Sequence, residues 1–202
     1  MLRVAVFVSG RGSNLRAILN SPRLQNLIAV NSVFSDKDDC PAFKIAEEFK
    51  VETFVLGNRQ HTVKFESLSD FLKSRGVELV VLAGFLKKIP DDLINDFRNR
   101  IINIHPALLP SFGGKGMYGM NVHRAVFGSS TQVSGATVHF VDEIYDNGRI
   151  IAQRCIDISD VESAEEIASR VLEIEHELLP FVIEKFAQNK IVLVGDRVRI
   201  LS

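Results

Sequence analysis

The run Val4-Ala5-Val6-Phe7-Val8 stops abruptly at Ser9-Gly10-Arg11-Gly12-Ser13-Asn14. Five consecutive apolar residues do not alternate, so neither face of a strand built from them suits water. Such strands belong inside parallel sheets covered by helices on both faces. A parallel sheet needs a crossover after each strand, and apolar spacing supplies the helices. Residues 15–19 begin the first helix, with Ser13 or Asn14 near its cap. Strands are expected at residues 27–34, 53–56, 77–83 and 101–104. Helices are expected at 41–49, with Pro41 in the first turn, at 64–74 and at 91–97.

The second half changes character. Residues 132–141 and 150–157 read as two longer strands joined by the loop 142–149. Residues 165–188 read as a long helix broken near Pro180, and 191–194 with 198–201 as a hairpin turning at Gly195-Asp196. The stretch 111–121 is rich in glycine and has no apolar period, so it reads as a mobile loop. The expected fold is α/β: a Rossmann-like, largely parallel sheet with helices on both faces and antiparallel strands in the C-terminal half. At 202 residues one domain is expected, spanning 1–202. Its N-terminal half would hold the anion loop.

Composition narrows the function classes. A net charge of -1 argues against nonspecific nucleic-acid binding. No segment approaches the length of a membrane span, and the apolar run at the N-terminus is too short for a signal peptide. The two cysteines, Cys40 and Cys155, lack metal-ligand spacing. A disulfide between them remains open, but buried reduced thiols in a cytoplasmic protein suit them better. No metal site is visible among the five histidines. Monomer and homodimer both remain open.

Glycines between a strand and a helix let backbone approach an anion, and the first amides of the helix point at it. Gly10, Arg11, Gly12, Ser13 and Asn14 are therefore candidate anion ligands. A dinucleotide fingerprint is incomplete, because Leu15 stands at the third glycine position, although Asp36 lies near the place of a ribose-binding acid. A phosphate monoester fits better. A second constellation lies further on. Asn103-Ile104-His105-Pro106 ends an apolar run, and Val138-His139-Phe140-Val141-Asp142 leads to Asp146. An amide, an imidazole and a carboxylate together can hold an oxyanion and move a proton, as acyl transfer to an amine requires.

These motifs, Asn103-x-His105-Pro106-x-Leu108-Leu109-Pro110 with Val138-His139-Phe140-Val141-Asp142-Glu143-x-x-Asp146, resemble the folate-dependent formyltransferases nearly end to end. The N-terminal motif and the length favour the glycinamide ribonucleotide branch. The resemblance implies an enzyme of purine synthesis using 10-formyltetrahydrofolate as cosubstrate, with no tightly bound cofactor, and small molecules as its only partners. It implies a catalytic set of Asn103, His105 and Asp146, with His139 in support. The phosphate would sit on residues 10–14, and Glu175 would meet the substrate amine or ribose. Folate would meet Phe85, Leu86, Lys87, Ile89, Val141 and Asp142, the C-terminal half being folate-binding and catalytic. The chain departs from common family patterns at Asn121, where many members have histidine, at Arg149, where proline is common, and at Lys87, where arginine is common. Other members of the family, a related hydrolase, and a non-catalytic phosphometabolite-binding protein are the competing readings.

Overall fold

A computed structural model describes residues 1–202. The chain packs as two compact units, residues 1–103 and 104–202. A seven-stranded sheet runs through it in the order β3-β2-β1-β4-β5-β6-β7. The strands are β1 Leu2–Val8, β2 Ile28–Ser35, β3 Glu52–Val55, β4 Leu79–Leu82, β5 Ile101–His105, β6 Val133–Phe140 and β7 Ile150–Asp157. Strands β1 to β5 pair in parallel, and β6 pairs with β7 antiparallel. This is the expected α/β architecture.

In the first unit Val4 to Val8 of β1 are wholly buried, as a central strand flanked by β2 and β4 must be. Phe7 packs on Phe34 at 4.8 Å between ring centroids, and Phe34 stacks on Phe54 at 5.2 Å. Burying such a ring contributes about 1.5–3 kcal/mol. Helices α1 Ser13–Asn20, α2 Ala42–Glu48, α3 Leu68–Ser74 and α4 Asp91–Asp96 follow the strands. The helix expected over 64–74 begins instead as a 3₁₀ turn at Phe65–Ser67. Neither Ser13 nor Asn14 caps α1. The cap is Gly12, at φ 78, with no side-chain hydrogen bond.

The second unit carries α5 Met120–Gly128, β6, β7, the helix α6 Ala164–Ala187, and the hairpin β8 Ile191–Val194 with β9 Arg197–Ile200. Helix α5 was not expected. It opens at Gly119 rather than at a capping Ser, Thr, Asp or Asn, so no start signal separates it from the glycine-rich stretch before it. Helix α6 is not broken at Pro180. Proline removes one helical hydrogen bond, but Leu178, Leu179, Val182 and Ile183 around it are buried, and that packing holds the helix together. Ser163 caps α6 by accepting from the Glu166 amide at 3.2 Å. Both cysteines are free; Cys40 is buried as expected, but Cys155 is exposed. No helix is long and apolar enough to cross a membrane.

Two features of Gly12 make it a structural residue. Its φ is left-handed, and a Cβ there would lie 2.6 Å from the Ala42 Cβ at the start of α2. At Gly10 a Cβ would meet nothing within 4 Å. Gly12→Val should therefore destabilise the protein by about 2–4 kcal/mol, whereas Gly10→Ala should stay within about 0.5 kcal/mol of the parent. Urea unfolding of both variants measures this, and equal midpoints would contradict it.

Candidate functional site

In the first unit the end of β1 delivers residues 10–14 to the start of α1. Gly10 and Arg11 are exposed, Gly12 and Asn14 are buried, and Ser13 is half-buried. The first turn of α1 contains no acidic residue and no side chain caps it. Its first amides therefore keep their affinity for an anion. The segment after β4 divides in two. Phe85 and Ile89 are buried, and Phe85 packs edge-on against Phe7 at 5.4 Å, so both side chains serve the core rather than an open wall. Leu86 and Lys87 are exposed.

Strand β5 carries Asn103 and His105 two positions apart, hence on one face. Asn103 is half-buried and His105 is 3% exposed. In the second unit the loop between β6 and β7 brings Asp146 to two imidazoles. Asp146 Oδ2 lies 3.6 Å from His105 Nδ1, and Oδ1 lies 3.6 Å from His139 Nε2. Oδ2 also accepts from the Gly114 amide at 2.8 Å. His139 Nδ1 donates to the Phe140 carbonyl at 2.7 Å, which turns Nε2 towards Asp146. His105 Nε2 donates to the Phe112 carbonyl at 2.9 Å. A carbonyl only accepts, so these two bonds locate one proton on each ring.

The backbone is strained at two of these places: Phe112 and Asp146 each have φ 56. Aspartate tolerates the left-handed region better than phenylalanine does. The loop that presents Asp146 closes on itself. Asp142 accepts from the Ile144 amide at 2.9 Å and the Asn147 side chain at 3.0 Å. Gly148 comes so close to the Phe140 carbonyl that no side chain would fit. Asp142 therefore spends both oxygens on loop structure, and Val141 beside it is half-buried. Arg149 pairs with Asp196 at 3.3 Å, and the Asn121 side chain closes the turn onto the Gly116 carbonyl at 3.2 Å.

Burial is the largest influence on His105 and lowers its pKa. The charge of Asp146 and the Phe112 carbonyl raise it without overcoming burial, and His139 lowers it further. Asp146 therefore favours the protonated imidazole, but burial outweighs it. For Asp146 burial again acts most strongly, upwards. The hydrogen bond from His139, the charge of His105 and the Gly114 amide together outweigh it, so the carboxyl stays below its ordinary value.

Two residues were missed or undervalued in sequence. His123 on α5 is 6% exposed, its Nδ1 has no hydrogen-bond partner, and its pKa is lowered by burial and then by His105. Only the unrecognised helix would have signalled it. Glu175 on α6, which the resemblance alone singled out, is 7% exposed. No group of three His, Cys, Asp or Glu side chains is arranged to hold a metal ion.

An amide, a buried imidazole and an ionised carboxylate suit acyl transfer, and the sequence relationships agree. Residues 2–183 match the family described as Formyl transferase, and the chain belongs to that family. Its relatives include the chloroplastic phosphoribosylglycinamide formyltransferase of Vigna unguiculata, 42% identical over 99% of this chain; the chain spans 65% of the length of that plant protein. The phosphoribosylglycinamide formyltransferase of Bacillus subtilis is 36% identical over 92% of this chain and 94% of its own. The crystal structure of phosphoribosylglycinamide formyltransferase from Anaplasma phagocytophilum superposes with a TM-score of 0.89 at 34% identity, covering 100% of this chain and 95% of that one.

The histidines set a pH dependence. His105, His123 and His176 all have folded pKa values lowered from 6.5, in each case chiefly by burial. Below 6.5 the unfolded chain binds more protons at these sites than the folded protein does. Their contribution to stability is therefore full above that value and is lost as pH falls through the folded values. Urea unfolding should show stability declining as the pH drops below 6.5. In Asp146→Asn the His105 titration followed by NMR should move to still lower pH. An upward move would show that Asp146 does not act on His105 as the geometry indicates.

Proposed function

We propose that the chain transfers the formyl group of 10-formyltetrahydrofolate to the amine of glycinamide ribonucleotide, in purine synthesis. The observation that carries this reading is the half-buried Asp146 carboxylate against the buried His105, with Asn103 two residues earlier on the same strand. The substrate phosphate binds the backbone amides of residues 10–14. Glu175 meets the substrate amine or ribose. Leu86 and Lys87 meet the folate, together with the backbone of residues 141–142; Phe85 and Ile89 support that segment from the core.

The neutral amine attacks the formyl carbon and forms a tetrahedral oxyanion. Asn103 and the Nε2–H of His105 donate to that oxygen once the Phe112 carbonyl has been displaced. Asp146 is held ionised and accepts the proton that the attacking amine must lose. When the intermediate collapses, the carbonyl re-forms, the carbon–nitrogen bond to folate breaks, and the folate nitrogen leaves with the proton that Asp146 took from the amine, which returns Asp146 to its ionised form. Folate is consumed as a cosubstrate and needs no permanent seat. A reducing cytoplasm suits the two free thiols. Water is the competing acceptor that the assay must exclude.

Single-turnover transfer with glycinamide ribonucleotide, methionyl-tRNA and water as competing acceptors tests the reading; the ribonucleotide should take the formyl group. His105→Ala and Asn103→Ala should each lower turnover by about 10²–10³ while the variants still bind both ligands. Because residues acting as a unit are not additive, His105→Ala with Asp146→Asn should be little worse than His105→Ala alone. Near-normal turnover in His105→Ala would sink the mechanism.

A further inference from the structure

Ser9 directly follows β1 with its side chain inside the fold, 1% exposed. Its polar groups each reach a different element. The backbone N–H donates to the Gly84 carbonyl at 3.0 Å. The hydroxyl donates to Asp36 Oδ1 at 2.6 Å and accepts from the Leu86 amide at 3.0 Å. One side chain thereby joins the end of β1, the turn after β2 and the segment after β4. The next residue, Gly10, opens the anion loop, and its carbonyl accepts from the buried Cys40 thiol at 3.4 Å.

A buried hydroxyl needs a reason, because burying it is unfavourable unless it is hydrogen-bonded. Here a carboxylate polarises the hydroxyl, and the hydroxyl oxygen becomes a better acceptor for the Leu86 amide. Such charge-assisted chains reinforce one another. The carboxylate itself is a puzzle for an anion loop. Asp36 stands one residue beyond β2 and one hydrogen bond from the residue before Gly10, where its charge opposes a phosphate. It lies near the place of a ribose-binding acid, yet its Oδ1 is committed to Ser9. Orientation of Ser9 accounts for it.

We propose that Ser9, oriented by Asp36, is a positioning residue that ties the anion-binding loop to the Leu86 segment, so that a phosphate held on the loop is felt at Leu86. The tie follows from the hydrogen bonds; that the ligand at Leu86 is folate rests on the proposed function.

The test follows the Leu86 amide by NMR in labelled full-length protein while inorganic phosphate is added, alongside the Michaelis constants for both substrates. In the parent protein phosphate should shift the Leu86 amide and slow its hydrogen exchange. In Ser9→Ala that response should vanish, and both Michaelis constants should rise about fivefold to tenfold, the effect of one lost hydrogen bond, with a smaller fall in kcat. Asp36→Ala should reproduce this, Asp36→Asn should restore most of it by keeping an acceptor, and Ser9→Ala with Asp36→Ala should be no worse than either alone. If Ser9→Ala does not fold, the two Asp36 variants carry the comparison. Lower stability with the Leu86 response and both Michaelis constants intact would reduce Ser9 to a packing residue and overturn the proposal. So would a parent Leu86 amide indifferent to phosphate, whatever the activity. A phosphate-sensitive Leu86 in a protein without formyl transfer would uphold the tie and remove the proposed reaction.

Discussion

Asp146 is a carboxylate kept ionised where burial opposes charge. Its side chain is 12% exposed, and its ionised form is favoured by His139, by the Gly114 amide and by the charge of His105 when that ring is protonated. None of these partners is incidental. His139 is oriented by its bond to the Phe140 carbonyl, and the Gly114 amide comes from a loop whose Phe112 carries left-handed strain. A buried charge that lost these contacts would face a desolvation penalty of several kcal/mol, or would take up a proton. The β6–β7 loop, with Asp142 closing its turn and Gly148 pressed against β6, exists in this conformation to hold that one oxygen pair.

The first unit solves a different problem, with backbone rather than charge. A strand buried on both faces has to end somewhere, and its end is where amides become available. The fully buried β1 and the phenylalanine cluster around Phe34 fix that end rigidly. The amides of the following loop are then held by a closely packed frame. Rigidity of this kind favours binding by reducing what must be ordered when the ligand arrives.

Much of this was legible in the residues. Continuous apolar runs such as Val4–Val8 disclose buried parallel strands because nothing else explains the lack of alternation. The spacing of Asn103 and His105 places them on one strand face, and this too is visible in sequence. Other features were not. Helix α5 has no capping signal, Pro180 obeys tertiary packing instead of local propensity, and Gly12 doubles as helix cap and contact surface for Ala42. The protonation of His105 depends on the balance of burial against a neighbouring charge, a three-dimensional quantity that no motif encodes. The burial of Glu175 and His123 was hidden for the same reason.

The bond from His105 to the Phe112 carbonyl has a calorimetric consequence. Without a ligand, the imidazole proton donor is already satisfied inside the protein. A ligand oxygen that claims it exchanges one hydrogen bond for another instead of adding one. The heat released at this contact is therefore the difference between two bonds of similar strength, and is small. On the proposed reaction, discrimination between a ground-state carbonyl and an oxyanion would rest on charge, since a charged oxygen competes better than a backbone carbonyl for the same proton.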